Sequence, residues 1–337
     1  MLNYPPSWIK MVSGFEDQEE STSKFSLADC EPQVAYNMLS ALKLKWHEKY
    51  NNGYPTVLQV GGASMVLIES NPFLRSNKKA MIKRGALERT CARCRTVFQL
   101  NPDGTVPMDY CTYHLKNLSG SNLVPCCGKK ITTPGCMKNS MHVFDGMMEE
   151  DLDKFVYTPK SMGDKDHRSG KIYAIDCEMG YTNQGMSLIR VSVLNLNGEK
   201  VMDEIVKPDA QMIDANTKYS GVTMLQIEQA SMNLEQVQKM LFELINEHTI
   251  LVGHGLENDL KALRLFHPSV VDTAVLFNKN TIKPSLKSLT SKYLNKLIQN
   301  DKGEDCYHDS IEDAMSCVEL LSFAIDNCLY CVSSRLC

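Results

Sequence analysis

The stretch KIYAIDCEMGYT, residues 171–182, decides the fold of the second half of the chain. It begins as an apolar strand and then places two acids, Asp176 and Glu178, one residue apart near its end. Because residues i and i+2 of a strand point to the same face, the two carboxylates project together. A buried carboxylate without a partner is costly, so the pair needs a partner or a metal ion. The pattern therefore favours a functional site at the carboxyl end of this strand.

The segments that follow predict an α/β domain. Asn197 and Gly198 form a strong turn signal between two apolar runs, which predicts a hairpin. Three strands come first, and helices and strands then alternate, so we expect a mixed sheet whose first strands are antiparallel. The predicted strands are 171–179, 187–198, 200–208, 249–254 and 269–277, and the predicted helices are 234–245, 256–266, 285–294 and 310–325. Ligands of such sheets bind at the carboxyl ends of strands.

Two more acids and a histidine fall at comparable positions. Asp259 lies in the first turn of a predicted helix, and Asp313 lies in the first turns of the last helix, with His308 just before it. Mg²⁺ prefers carboxylate oxygens, and two such ions about 4 Å apart can clamp a displacement at phosphorus. A histidine can deprotonate the attacking water. Each acid alone also fits a favourable helix start, and His308 alone fits a helix cap or a surface residue, while Asp309 competes with it as the base.

Residues 91–142 hold eight soft metal ligands at zinc-knuckle spacing. Cys91, Cys94, Cys111 and His114 would make one complete Cys₃His set, and Cys126, Cys127, Cys136 and His142 would make another. The spacing leaves the pairing open: the two sets can be crossed, and one of Cys126 and Cys127 can be a spectator. Cys177 and Cys317 are predicted to be core thiols, and Cys328 and Cys331 have the CxxC spacing without a partner pair.

Charge and composition separate two regions. Residues 75–142 carry twelve Lys and Arg against three acids, whereas residues 171–337 carry fifteen against twenty-two. The basic region suits a polyanion and the acidic region suits cations, although two solvated surfaces of opposite sign explain the charges equally well. Phosphate contacts would come from basic side chains that include Lys78, Lys79, Lys83, Arg84, Arg93 and Arg95.

No apolar run reaches the roughly 18 residues of a membrane span, and we expect neither secretion nor a signal peptide. Thirteen cysteines are then expected to be thiols or metal ligands. The basic run NKKAMIKRG, residues 77–85, favours a nuclear location, with a cytoplasmic one as the alternative. The apolar stripe over residues 34–50 predicts a helix. We predict a partly helical N-terminal segment with a mobile start (1–74), a basic Cys/His zinc module (75–144), a linker (145–170), a nuclease domain (171–327) and a tail (328–337).

Several separated motifs carry a specific resemblance. YAIDCEMG (173–180), GHGLENDLKAL (253–263), VDTAVLF (271–277) and YHDSIEDAMSCVELL (307–321) resemble the motifs of the DEDDh branch of the DnaQ-like, ribonuclease H-like exonucleases. Within that superfamily the chain is most similar to eukaryotic RNA exonuclease 1 homologs, and the segments 206–209 and 214–223 resemble that group too. The Cys/His run resembles the segment that precedes their nuclease domain, so the similarity covers roughly residues 50–325. The ligand order is also similar to that of CHORD modules, which bind two zinc ions.

The resemblance implies a ribonuclease H-like α/β fold, with a mixed five-stranded sheet and helices on both faces. It implies that Asp176, Glu178, Asp259 and Asp313 hold two Mg²⁺ or Mn²⁺ ions and that His308 is the general base. The sister branch places a tyrosine four positions before the last acid, where this chain has Asp309. Met179 is expected either to pack on the terminal base or to lie in the core.

The implied reaction is 3′→5′ hydrolysis of single-stranded RNA that releases nucleoside 5′-monophosphates, assisted by one or two structural zinc ions. Two alternatives stay open at this point. The chain can be a non-catalytic adaptor whose zinc module binds RNA or protein, or it can be a nuclease for DNA or short oligonucleotides.

Overall fold

The structure, a computed structural model, describes residues 25–60, 63–67, 87–115, 123–124, 126–147, 149–278, 282–299 and 308–333. The predicted mobile start up to residue 24 and the basic run 77–85, with Lys78, Lys79, Lys83 and Arg84, lie outside the described residues. The same holds for the side chains of Cys328 and Cys331.

The described residues form the following elements. The helices are α1 (Pro32–Ser40), α2 (Trp46–Asn52), α3 (Thr217–Ser220), α4 (Met224–Gln229), α5 (Leu234–Leu244), α6 (Glu257–Ala262), α7 (Thr273–Leu276), α8 (Leu286–Tyr293) and α9 (Ser310–Ser333). The strands are β1 (Thr56–Val60), β2 (Ala63–Leu67), β3 (Glu88–Thr90), β4 (Val97–Gln99), β5 (Met108–Tyr113), β6 (Met137–Met141), β7 (Val156–Tyr157), β8 (Ile172–Thr182), β9 (Gly185–Leu194), β10 (Lys200–Ile205), β11 (Met212–Asp214), β12 (Ile250–Gly253), β13 (Leu265–Phe266) and β14 (Val270–Asp272). Among the helices of the described residues, none combines the length and the hydropathy that a membrane span requires.

A mixed sheet forms the centre of the nuclease domain. Its strand order is β10-β9-β8-β12-β14, and short β11 also pairs with the far end of β8. The first three strands are antiparallel, whereas β12 runs parallel to both β8 and β14. The hairpin between β9 and β10 turns at the predicted Asn-Gly pair, where Gly198 adopts a φ of 81°. The predicted mixed five-stranded α/β sheet is therefore confirmed, with β11 as an addition.

Helices cover both faces of this sheet because β8 is apolar on both sides. Ile172 and Ala174 belong to the apolar cluster that α8 and α9 cover, together with Leu39 of α1. Ile175 and Cys177, the alternate residues, belong to the opposite cluster, which α5 and α6 cover. Cys177 and Cys317 are both buried, as predicted for core thiols.

Two predicted elements are shorter than expected. The helical stripe predicted over residues 34–50 is interrupted between α1 and α2, because the Leu44 amide donates to the Val270 carbonyl (2.8 Å) at the edge of the sheet. The strand predicted over 269–277 ends at Asp272, whose carboxylate accepts from the Ala274 amide (2.8 Å) and thereby caps α7. A capping carboxylate favours a helix start over continued strand.

The predicted linker, residues 145–170, is packed against the nuclease domain. Within it β7 pairs in parallel with β13. Arg168 donates to Asp166 (2.8 and 2.7 Å) and to the Phe242 carbonyl (2.8 Å), and both charged side chains are buried. These bonds tie the predicted linker to the nuclease domain. The predicted boundary at residue 327 also falls inside α9, which continues to Ser333.

The N-terminal segment is also part of the nuclease core. Leu27 and Leu39 are fully buried in the cluster under α9, and the Leu27 amide donates to Ser322 (3.1 Å). The Tyr54 hydroxyl donates to Asp272 (2.5 Å) in the interior. The N-terminal segment therefore packs as part of the core of the nuclease domain.

Candidate active site

Three elements bring the four predicted acids to one end of the sheet. Asp176 and Glu178 lie on β8, Asp259 lies on α6 directly after β12, and Asp313 lies at the start of α9. The Cys177 amide donates to the Asp259 carboxylate (2.8 Å), which fixes α6 against β8. Gly253 permits this approach, because a Cβ there would lie 2.8 Å from the Ile175 carbonyl oxygen.

The acids are poorly solvated and incompletely paired. Glu178, Asp259 and Asp313 are exposed by only 8%, 4% and 4% of their surface. Glu178 Oε1 and Asp313 Oδ1 are buried and have no hydrogen-bond partner among the described residues. Buried carboxylate oxygens normally have partners, so these two mark a place for a positively charged ligand.

Burial and mutual repulsion change the protonation of the site. Burial, and then the charges of Asp259, Glu178 and Asp313, raise the pKa of Asp176 well above its usual range. Burial, followed by the charges of Asp313 and Asp259, raises the pKa of Glu178 to about 9. Burial raises the pKa of Asp259 to about 7, although its bond from the Cys177 amide acts in the opposite direction. Several carboxylates that repel one another in one place need cations to stay ionised.

His308 lies beside this cluster. Its Nδ1 is 3.4 Å from Asp313 Oδ2, its side chain is 42% exposed, and its amide donates to the Tyr219 carbonyl (2.7 Å). Asp309 has a different task, because its carboxylate accepts from the Ile311 amide (3.1 Å) at the start of α9. The imidazole is therefore both near the acids and open to solvent, as a proton acceptor for water has to be.

Met179 lies next to Glu178 but is half-buried, and it packs against the apolar cluster on the α5 and α6 side of the sheet. Two further polar contacts were not predicted. Arg190 lies opposite Glu178 in the register of β8 and β9, and its charge opposes the rise in the pKa of that acid. Gln299 donates to Asp313 Oδ2 (2.8 Å). A lone arginine in an apolar strand is the signal that would have identified Arg190.

The Cys/His module contains two groups of four potential ligands. One group is Cys91, Cys94, Cys111 and His142, and the other is His114, Cys126, Cys127 and Cys136, with all ligand atoms of a group within 4.8 Å of one another. The crossed arrangement, which the spacing left open, is the one observed: the two histidines exchange places relative to chain order. Cys126 and Cys127 both belong to the second group, so neither is a spectator in this geometry.

The ligand geometry fits tetrahedral zinc. The Cys91–Cys111 and Cys126–Cys136 sulfur pairs are 3.6 and 3.4 Å apart, close to the roughly 3.7 Å between two thiolates on one zinc ion. Each histidine turns Nδ1 toward the thiols. The opposite nitrogen of His142 faces Asp109 (3.4 Å), and that of His114 faces the Thr133 carbonyl (3.1 Å). An acceptor on the second nitrogen orients a metal-binding imidazole.

The module shares a core with the nuclease domain. Tyr181 and Ile213 of the nuclease domain pack on the apolar cluster of the module, which includes Phe98 and Phe144. The Val106 amide donates to the Asn183 carbonyl (2.9 Å), and the Met186 amide donates to the Gly146 carbonyl (3.0 Å).

Comparison with known proteins identifies the domain. Residues 173–321 match the RNase_T family, described as exonuclease. The human RNA exonuclease 1 homolog is 38% identical over 310 residues, which cover 88% of this chain and 24% of the human protein. RNA exonuclease 1 of Saccharomyces cerevisiae is 45% identical over 165 residues, which cover 48% of this chain and 29% of the yeast protein.

A solved structure, the catalytic unit of Pan2 from Neurospora crassa with its protease and nuclease domains, aligns with a TM-score of 0.44 and 24% identity. The alignment covers 54% of this chain and 32% of the Pan2 chain. The chain spans less than a third of the human and yeast relatives. The family match spans β8 to α9, so residues 173–321 form an exonuclease domain of the RNase_T family.

Proposed function

We propose that this chain is a metal-dependent 3′→5′ exoribonuclease that releases nucleoside 5′-monophosphates from single-stranded RNA. The observation that carries the proposal is the set of four acids that repel one another at the sheet end, beside a solvent-exposed imidazole. Both relatives named above are RNA exonucleases, which supports RNA over DNA as the substrate.

Asp176, Glu178, Asp259 and Asp313 would hold two Mg²⁺ or Mn²⁺ ions. Bound there, the ions supply a water of lowered pKa and stabilise the departing 3′ oxygen. His308 accepts the proton of the attacking water at Nε2, because its Nδ1 faces Asp313. Asp313 orients that ring, and Tyr219 holds its backbone. The module would bind one zinc ion in each Cys₃His group, and these ions stabilise its fold.

The test uses RNA oligonucleotides labelled at the 5′ or the 3′ end, incubated with the protein and Mg²⁺. A 3′→5′ exonuclease converts 5′-labelled RNA into a ladder and releases the 3′ label at once as a mononucleotide. Asp176→Asn should abolish the release, whereas Asp209→Asn, an exposed acid outside the site, should not.

The outcome separates the alternatives. Binding of RNA without any product would favour the adaptor, and faster degradation of a matched DNA strand would favour a deoxyribonuclease. Release of the 5′ label first would contradict the proposed polarity.

A further inference from the structure

A cavity of about 500 Å³ lies between the zinc module and the nuclease domain. The module contributes Arg93, Arg95 and Tyr113 to its lining, and the nuclease domain contributes Tyr181, Asn216 and Tyr219. We call it the interdomain cleft. Nothing in the proposed hydrolysis uses it.

Arg93 forms the centre of the cleft wall. Its guanidinium pairs with Asp214 (2.5 Å) and lies over the rings of Tyr113 and Tyr181, 4.7 and 5.4 Å from the ring centroids. The Arg93 side chain is only 9% exposed, and its buried Nε has no hydrogen-bond partner in the described part of the chain. The buried guanidinium holds Tyr113 and Tyr181 in place, and tyrosine rings that line a cleft are surfaces on which nucleobases can stack.

The charges of the cleft favour an anion. Within the described residues, the lining includes two arginines and no acid. The charge of Arg93 is offset by its ion pair with Asp214, so the attraction for an anion comes from Arg95. Arg95 is exposed and adopts a φ of 67° in the knuckle that follows Cys94, which places a cationic residue at the cleft.

Tyr219 connects the cleft to the active site. Its hydroxyl donates to the Leu115 carbonyl of the module (3.2 Å), and its own carbonyl accepts from the His308 amide (2.7 Å). The rings of Tyr219 and His308 meet edge to face at 6.5 Å. The cleft therefore begins one side chain away from the imidazole.

We propose that the interdomain cleft binds the nucleotides of a single-stranded RNA that lie upstream of the scissile phosphate. Bases stack on the Arg93 and tyrosine surface and on Tyr219, and Arg95 contacts a phosphate. This inference rests on the proposed function, because it uses the same substrate strand. In this proposal the zinc module binds substrate, and Arg95 favours RNA strands that are long enough to reach it.

The experiment compares a dinucleotide, which has one nucleotide upstream of the scissile phosphate, with a hexanucleotide, which has five. We expect Arg95→Glu to raise KM for the hexanucleotide roughly tenfold through lost phosphate attraction and to leave the dinucleotide within about twofold. Arg95→Lys should restore most of the hexanucleotide KM. Lys138→Glu makes the same charge change at an exposed site on β6 outside the cleft and is the matched control. It should leave the KM of both substrates unchanged.

A binding measurement gives a readout without turnover. Fluorescence anisotropy of a labelled hexanucleotide with phosphorothioate linkages should show weaker binding, and so a higher Kd, for Arg95→Glu. The slope of log Kd against the logarithm of the salt concentration should decrease by about 0.7, the value for one lost phosphate contact on a single strand. Unchanged zinc content would establish that the module remains folded.

The outcomes distinguish the two proposals. If the natural chain degrades neither substrate, the proposed function fails. If it degrades both and Arg95→Glu changes neither KM, or changes both equally, the cleft does not bind the upstream strand and the proposed function still stands.

Discussion

At the scale of residues, the acids at the end of β8 are stabilised poorly by the protein alone. Glu178 Oε1 and Asp313 Oδ1 are buried without partners in the described residues, and Arg190, the nearby cation, is already paired with Asp203 (2.9 Å). Such an arrangement sacrifices stability for ligand binding. The protonation of these acids should therefore be visible in the stability of the protein.

We predict that, without Mg²⁺, the free energy of unfolding falls as the pH rises from 6.5 to about 9. The pKa of Glu178 is about 9 when folded, against an ordinary value of 4.5, so the folded chain holds a proton that the unfolded chain releases. One such proton gives a slope of up to about 1.4 kcal/mol per pH unit. Urea denaturation across this range would measure it.

Two controls accompany this measurement. Saturating Mg²⁺ should flatten the slope, because the cation stabilises the ionised acids. Glu178→Gln should reduce the slope as well, whereas Glu228→Gln, at an exposed site on α4, should leave it unchanged. A stability that rises with pH in the metal-free protein would refute the interpretation.

His308 and Asp309 offer a matched pair, because the sequence alone did not decide between them as the base. We predict that His308→Asn lowers kcat by about 10²- to 10⁴-fold while Mg²⁺ still stabilises the protein. Asp309→Asn should stay within a few-fold of the natural rate, because asparagine can also accept from the Ile311 amide and cap α9. Single-turnover hydrolysis of labelled RNA measures both, and a larger loss in the Asp309 variant would make Asp309 the base.

Sequence reasoning reached the residues whose signal is local. Asp176 and Glu178 interrupt an apolar strand, so pattern alone selects them, whereas Asp313 and His308 also fit an ordinary helix start and were selected through the resemblance. Arg190 and Gln299 were missed because their contacts with the site depend on strand register and on a loop that follows α8. Such contacts join positions that no periodicity relates.

At the scale of elements, specific hydrogen bonds and ion pairs explain where the structure differs from the predicted elements. Residues 269–277 have the apolar run of a buried strand, yet the carboxylate of Asp272 starts α7 in the middle of it. Residues 145–170 are polar and aperiodic, as linkers are, yet they are held by the Asp166–Arg168 pair and by the β7–β13 pairing. Composition predicts only how exposed a segment is on average, and it cannot identify a specific buried ion pair.

We predict that Tyr54→Phe lowers the free energy of unfolding by about 1–3 kcal/mol. The change removes a buried hydrogen bond to Asp272 and leaves that carboxylate oxygen without its partner. Asp272 also holds the amides of Gly255 and Ala274, so the loss weakens the start of α7 and the turn before α6. Chemical denaturation of the natural and variant chains would measure it.

Tyr36→Phe is the matched control for this variant. The Tyr36 hydroxyl also bonds to a distant group, the His248 carbonyl (2.7 Å), but that bond is exposed to solvent. Its loss should change the free energy of unfolding by less than about 1 kcal/mol, because water replaces the partner. Equal effects of the two variants would mean that the N-terminal segment does not support the nuclease core through Tyr54.

At the scale of the whole molecule, the zinc module and the nuclease domain are joined by a common core and by the Arg93–Asp214 pair. The sequence selected the eight residues that form the two groups but could not pair them, because pairing depends on how β5 and β6 come together. That antiparallel pair carries Cys111 opposite Asn139 and leads β6 into His142, which reaches the first group. Chain order alone would have assigned His114, not His142, to the first group.

The pairing makes a prediction that zinc analysis can decide. The natural chain should carry two zinc ions, and Cys94→Ser should lose one of them, because three remaining ligands hold zinc far less tightly. In the crossed arrangement, Cys94 and His142 share a site, so adding His142→Ala to Cys94→Ser should still leave one zinc ion. Adding His114→Ala instead should remove both, because the second substitution then damages the other group.

Elemental analysis of the gel-filtered variants gives the counts directly, and the two double variants serve as controls for each other, since each carries one cysteine and one histidine substitution. If ligands were paired in chain order, the counts would be reversed: the variant with His114→Ala would keep one zinc ion and the variant with His142→Ala would keep none. Cys94 of the first group lies between Arg93 and Arg95 of the cleft, whereas the second group adjoins it through His114 and Leu115, whose carbonyl accepts from the Tyr219 hydroxyl. Variants that lose only the first zinc ion should therefore weaken hexanucleotide binding more than variants that lose only the second, as measured by the same anisotropy assay.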